Sequence, residues 1–202
     1  KKEAEQFARA GDFATFDSRW VEFGDQRVKS KAIDDRIGCA VLIKLMEEGV
    51  DRDTWFVFAV GEEIGSRGAK AAASFIKPRW GLVVEGTTAG DVPGVAEHEV
   101  SCRQGKGAVV SLADRGSVYD RDFVRRLVGL ADEQGIRWQY RASMNGGTDA
   151  GAMHLAGEGS QVFGLAAPVR YIHSASNVLY WPDAEEVLKM ARLVVKEAEQ
   201  DD

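Results

Sequence analysis

From Lys31 to its end, this chain alternates two kinds of apolar segment, and that alternation limits its fold more than any other feature. DDRIGCAVLIKLMEEGV reads as a helix, with two aspartates at its start, apolar residues at helical spacing and Gly49 as a C-cap. DTWFVFAV follows as a buried strand, then SRGAKAAASFI as a small-residue helix stopped by Pro78. The same rhythm continues through the strands WGLVVEG and GAVVSLAD, the amphipathic helix VYDRDFVRRLVGLADEQG and the strand IRWQYRAS. It closes with the short helix GTDAGAMHLAGEG, the strand SQVFGLAAP and the helix DAEEVLKMARLVVKEAEQ, for which Asp183 is a suitable N-cap. Strands alternating with helices predict an α/β fold, a mostly parallel central sheet flanked by helices on both faces. The first 30 residues do not share the rhythm. KKEAEQFARA reads as a short helix and FATFDSRWVEFG as a one-sided strand. Residues 1–30 are therefore expected to be the remnant of a β-rich module, and residues 31–202 a second unit.

Charge and composition exclude several function classes. A net charge of −6 and a pI near 5.2 argue against nucleic acid and anionic membrane surfaces as partners. No apolar run approaches the roughly 20 residues that span a bilayer. The opening KKEAEQFARAGDF has no apolar h-region of a signal peptide. Two cysteines, Cys39 and Cys102, make no disulfide framework, and a reducing cytoplasm is the expected compartment.

In open α/β sheets, ligands bind beyond the carboxyl ends of the strands. Four acidic features fall at such ends or at the helix start after one: Asp34-Asp35, Glu62-Glu63, Glu85 and Asp149. His173 follows the strand near Val162 to Ala166, in PVRYIHS. Carboxylates gathered at one sheet edge repel one another, and without a cation some must take up protons. A divalent metal resolves the conflict, and oxygen ligands with a single His suit Zn²⁺, Mn²⁺ or Co²⁺. Two such ions can share a carboxylate and a water, with a further carboxylate taking the water's proton. The adjacent Glu62 and Glu63 suit that division of labour, because neighbouring side chains in a loop point in different directions, and Gly61 and Gly65 bracket them. Read alone, the same EE pair belongs more often to a solvated turn than to a catalytic site.

The segments KAIDDRIGCAVL, FAVGEEIGSRGA, VVEGTTAGDVPG, NGGTDAGAMH and PVRYIHS, in this order, resemble the M42 family of metallo-aminopeptidases (glutamyl, deblocking and tetrahedral aminopeptidases). The resemblance covers nearly the whole chain and implies a phosphorylase/hydrolase-like zinc-peptidase fold. It implies two divalent ions (Zn²⁺, Co²⁺ or Mn²⁺) bridged by Asp34. Glu63 and His173 would complete one site, Glu85 would bind the other ion where many relatives use Asp, and Glu62 would be the general base. It implies that Asp35 follows a cis peptide and supports the site from behind. It implies peptide substrates and a homo-oligomer of up to twelve subunits. One departure accompanies it. An upstream HxD-type segment supplies a further metal-binding His in the family, whereas no His is present among the 33 residues before Asp34. The chain thus reads as the C-terminal portion of a longer enzyme, holding one ion or none by itself.

Asp149 lines the substrate site by resemblance, or simply caps the helix after it. Arg170 pairs with a carboxylate near the metals, with substrate, or in a structural ion pair. His154 is expected to pack on its helix and His98 to be solvated. The short GxG of RQGKGAVV carries no phosphate-binding signal. The expected function is metal-dependent removal of N-terminal residues from peptides. The alternatives are an incompetent fragment that only folds, binds metal or self-associates, and a metal-free glycoside hydrolase using two of the carboxylates.

Overall fold

The computed structural model describes residues 3–200. Its centre is a strand that is buried on both faces, β6 (Gln161–Arg170), in which every residue from Val162 to Val169 is buried. Such a run with no polar alternation belongs to a strand covered on both sides. β6 pairs in parallel along nearly its full length with β3 (Trp80–Thr88), in a register running from Trp80 opposite Gln161 to Thr88 opposite Val169. Its other edge is shared by two strands, both antiparallel to it. β4 (Ala108–Val110) pairs with Leu165 and Ala166, and β7 (Asn177–Tyr180) with Val169 and Arg170. β5 (Trp138–Tyr140) adds in parallel to β4. From β7 the sheet continues through β2 (Arg27–Ser30) to β1 (Val21–Phe23), both antiparallel. Among the described residues the result is one seven-stranded sheet.

Two groups of helices flank it. α5 (Trp181–Gln200) packs against β3, β4, β6 and β7, with α1 (Ile33–Glu48) and α3 (Arg121–Glu133) beside it. α4 (Ala150–His154) packs against β3 and β6, with α2 (Arg67–Ile76) on it. Val187, Met190, Ala191 and Val194 supply the buried stripe of α5, and Phe123, Val124, Leu127, Val128 and Ala131 that of α3. Both follow the helical period that joins an amphipathic helix to a sheet. Asp120 caps α3 by accepting from the amides of Asp122 and Phe123 at 3.0 and 2.8 Å.

The α/β class and the flanked central sheet agree with the sequence, but three local expectations do not hold. The sheet is mixed, with four of its six strand pairings antiparallel. Residues 171–176 alone join β6 to β7, and so short a connection returns the chain antiparallel, whereas a parallel return needs a crossover of about a dozen residues or more. DTWFVFAV forms no strand. It has no ladder partner among the described residues, and Trp55 and Val60 are 64% and 75% exposed. Asp183 does not cap α5, which begins at Trp181. Its buried carboxylate accepts instead from the amides of Gly105 and Gly107, at 2.7 and 2.8 Å, tying the QGKG turn to the helix start. In the first 30 residues, Ala4–Gln6 form one 3₁₀ turn, and β1 takes only the end of its segment. β2 registers with β7 from Arg27 opposite Tyr180 to Ser30 opposite Asn177, so the sheet runs unbroken across the boundary expected at residue 30.

Candidate metal centre

β2 leads through Ala32, with φ of 53°, into α1. The aspartate pair sits at that entrance, and neither residue has helical dihedrals (Asp34 φ −85°, ψ 110°; Asp35 φ −120°, ψ 51°). The peptide between them is cis, as the family resemblance implies. The two side chains diverge, Asp34 to β3 and Asp35 to the first turn of α1. Asp34 Oδ1 accepts from the amide of Gly86 on β3 at 3.3 Å. Asp35 Oδ1 accepts from the amide of Gly38 at 2.9 Å, the three-residue reach of a capping side chain, and starts the regular part of α1. The two glycines are required by close approach. A Cβ on Gly86 would lie 2.8 Å from Asp34 Cβ, and one on Gly38 would lie 2.3 Å from the Asp35 carboxylate and from the carbonyl of Val84.

Glu62 and Glu63 stand in a turn closed by the amides of Gly65 and Ser66, which both donate to the Glu62 carbonyl at 2.9 Å. Glu63 is exposed and Glu62 half-buried, so the adjacent side chains occupy different environments. His173 lies in the loop after β6, with φ of 58°. Its Nε2 is 3.0 Å from Glu63 Oε1 and 3.6 Å from Asp34 Oδ2. One ligating atom from each of Asp34, Glu63 and His173 lies within 4.8 Å of the others. Three segments far apart in sequence thus converge on one point.

Behind this triad is a second layer of carboxylates. Glu85, near the end of β3, accepts from the Asp149 amide at 3.3 Å. Asp149 precedes α4 but makes no capping bond, and its Oδ1 is buried without a hydrogen-bond partner. Burial raises all of these acids, and their mutual repulsion raises most of them further. Glu85 is pushed up to about 9 by burial, then by Asp35 and Glu62. Asp35 rises to about 8 through burial and the charges of Asp34, Asp149 and Glu62, against the Gly38 amide that favours its anion. Glu62 rises to about 7 through burial, then Glu63, Asp149 and Asp34. Asp34 is raised by burial and by Glu63, and Asp149 by burial.

The donors fit a divalent cation. Two carboxylates and an imidazole make a borderline-hard set that suits Zn²⁺, Co²⁺ or Mn²⁺, and three protein ligands leave positions open, as catalytic sites do. The crowded acids and the unpartnered Asp149 oxygen describe a site short of positive charge. Glu85 is not part of the three-residue group and stands with Asp35, Glu62 and Asp149.

Arg170 lies outside this cluster. Its guanidinium makes two bonds to Asp91, at 2.8 and 2.9 Å, and Asp91 also accepts from the Gln104 amide. Of the roles open to Arg170, the structural ion pair is the one formed. His154 packs on Tyr119 and sets Nδ1 3.2 Å from the Ser160 carbonyl, as expected for a helix-packed residue. His98 is exposed. Cys102 is buried against the Thr88 carbonyl, and burial pushes its thiol up to about 12, so it is unreactive. Sequence reasoning missed Gly38, Gly86 and Asp91. For the glycines a signal existed, in DDRIG and VVEG, where each glycine closely follows an acid of the site. For Asp91 no pattern singled it out.

Comparison with known proteins gives concordant results. The sequence model of the M42 glutamyl aminopeptidase family matches residues 1–190. A putative aminopeptidase of Acetivibrio thermocellus is 36% identical over 192 residues, 94% of this chain and 57% of that protein. Among solved structures, an aminopeptidase from the archaeon Desulfurococcus kamchatkensis is 35% identical, with a TM-score of 0.90, over 98% of this chain and 57% of its own. PhTET1-12s, solved as a dodecamer, is 29% identical with a TM-score of 0.80, over 96% of this chain and 58% of its own. A Thermotoga maritima protein solved under the name endoglucanase is 31% identical with a TM-score of 0.76, over 98% of this chain and 58% of its own. The chain spans a little over half the length of each of these relatives.

Proposed function

The chain belongs to the M42 glutamyl aminopeptidase family, and on that premise we propose that it removes N-terminal residues from peptides at a divalent-metal centre. The observation that carries this reading is the convergence of Asp34, Glu63 and His173, with Glu62 half-buried beside them. Those three residues hold one ion. Asp34 and Glu85 are assigned to a second. Ions bound there would polarise the scissile carbonyl and make a water acidic. The remaining chemistry belongs to the chain. Glu62 takes the proton of the attacking water and returns it to the leaving amine. Its partial burial supports that role, because a carboxylate lifted out of its usual range is a stronger base near neutral pH. Asp35 closes the start of α1 on the Gly38 amide, while Asp34 is tied to β3 by its own bond to the Gly86 amide. Asp149 stands beside Glu85 with an unused oxygen and is assigned to the substrate's free amine.

The dodecameric relative supports a homo-oligomer built from copies of this protein, and the two free cysteines support a reducing, cytoplasmic setting. Among the described residues no helix is long and apolar enough to cross a membrane. The test is hydrolysis of aminoacyl-arylamides with added Zn²⁺, Co²⁺ or Mn²⁺. Glu62→Gln is expected to lower kcat by about 10²–10⁴, the usual contribution of a positioned general base, and a chelator to abolish turnover. Turnover unchanged by either treatment refutes the assignment. The endoglucanase name of one relative favours a second reading, hydrolysis of a β-glucan by two carboxylates. That reading leaves His173 without a part, and chelator-resistant glucan cleavage would identify it.

A further inference from the structure

His173 and Asp34 reach the same point from loops held in unusual conformations. Ala32, two residues before Asp34, has φ of 53°, and Tyr171 and His173 have φ of 57° and 58°. Such left-handed values are uncommon for residues that carry a side chain and persist where the surroundings hold them. One side chain touches both loops. Asn177 opens β7 opposite Ser30 of β2 and is 2% exposed. Its Oδ1 accepts from the amide of Ile33, the residue before Asp34, at 3.0 Å. Its Nδ2 donates to the carbonyl of Tyr171 at 2.8 Å and towards that of Ser174 at 3.4 Å. These two carbonyls lie on either side of His173. The amide thus uses its acceptor on one ligand-bearing segment and both donors on the other. Ser174 Oγ closes the same loop on the Tyr171 carbonyl at 2.6 Å.

We propose that Asn177 is the positioning residue of the metal centre, a clamp that fixes the spacing of His173 from Asp34. The inference rests on the proposed metal site and deepens it. Each valence of the Asn177 amide has a role that no aliphatic residue can fill. Without it, the Ile33 amide and the Tyr171 carbonyl lose a buried partner, and the turn carrying His173 is free to relax out of the left-handed region. A ligand set that must reorder on binding holds its ion more weakly, and supporting partners of ligands usually contribute about 10–100-fold in metal affinity.

The experiment measures Co²⁺ binding to the metal-free protein by calorimetry, together with the visible absorption of the bound cobalt. The proteins are wild type, Asn177→Ala, Asn177→Ser and Leu45→Ala. Leu45 is 3% exposed and three turns along α1 from Asp34, so its truncation loosens the core without touching the site. Asn177→Ala is expected to raise the dissociation constant by about 10–100-fold and to alter the cobalt spectrum. Leu45→Ala should lower the melting temperature and leave affinity and spectrum near those of wild type. Asn177→Ser keeps a hydroxyl for one of the three bonds, and it carries the same test should the alanine variant not fold. Wild-type affinity and spectrum in the Asn177 variants would overturn the clamp, and so would an equal loss in Leu45→Ala. Failure of the wild-type protein to bind cobalt would instead overturn the metal centre itself, and the clamp with it.

Discussion

Replacing Asp34 by Asn should stabilise the metal-free protein and destroy its response to metal, reversing the usual order of a wild type and its variant. The carboxylates of Asp34 and Glu63 have oxygens within 4.8 Å of each other. Two unit charges at that distance repel by about 3.5 kcal/mol at an effective dielectric constant near 20. The Asp34 side chain is 12% exposed but that of Glu63 is 59% exposed, and His173 lies between them. Solvent screening therefore reduces the repulsion to about 1 kcal/mol. Asparagine keeps the Oδ1 that accepts from Gly86 and removes only the charge. For a domain of this size, about 1 kcal/mol raises the melting temperature by roughly 2–4 °C. Metal reverses the ranking. At a free concentration about 100 times its dissociation constant, an ion stabilises wild type by about 2.7 kcal/mol. The variant has lost one of three ligands and should gain far less. Thermal melts with a chelator and with excess Zn²⁺ read both arms. A lower melting temperature for Asp34→Asn in chelator, or an undiminished rise with Zn²⁺, would refute the reasoning.

Other predictions concern the frame of the site. Asp91 lies below its ordinary range because the Arg170 guanidinium and the Gln104 amide outweigh the effect of burial. A depressed carboxyl contributes stability above its unfolded value near 3.9 that is lost as pH falls through the folded value. The urea midpoint of wild type should therefore fall more steeply below pH 4 than that of Asp91→Asn, and parallel curves would contradict this. Gly86→Ala places a methyl 2.8 Å from Asp34 Cβ. It should cost about 1–3 kcal/mol in urea denaturation, as overpacking does, and weaken metal binding. Wild-type stability would show that Asp34 can yield without cost.

The candidate ligands of the site were legible because each belongs to a short motif at a point where a strand or turn meets a helix. DDRIG, GEEIG and RYIHS carry Asp34, Glu63 and His173, which the fold brings to within 4.8 Å of one another. What escaped was pairing and burial. Hydrophobic period reports which face of a strand is covered but not which way its neighbour runs, so β4 and β7 were not foreseen as antiparallel to β6. The apolar run of DTWFVFAV suggested a strand, yet a strand exists only with a ladder partner, and the described residues supply none. Asp183 looks like a helix cap in sequence, but its bonds to Gly105 and Gly107 join residues far apart in the chain. Asn177 escaped for the same reason. A lone asparagine in SASNVLY shows no period, and only folding brings it against Ile33 and Tyr171.

Asp34, Glu63 and His173 are proposed to hold a divalent ion. Crystals grown with Zn²⁺ and measured at the zinc absorption edge test it directly. An anomalous peak is expected between Asp34 Oδ2, Glu63 Oε1 and His173 Nε2, at the roughly 2.0–2.2 Å of zinc bonds to nitrogen and oxygen. Zinc bound elsewhere, with these three side chains paired only to one another, would contradict it.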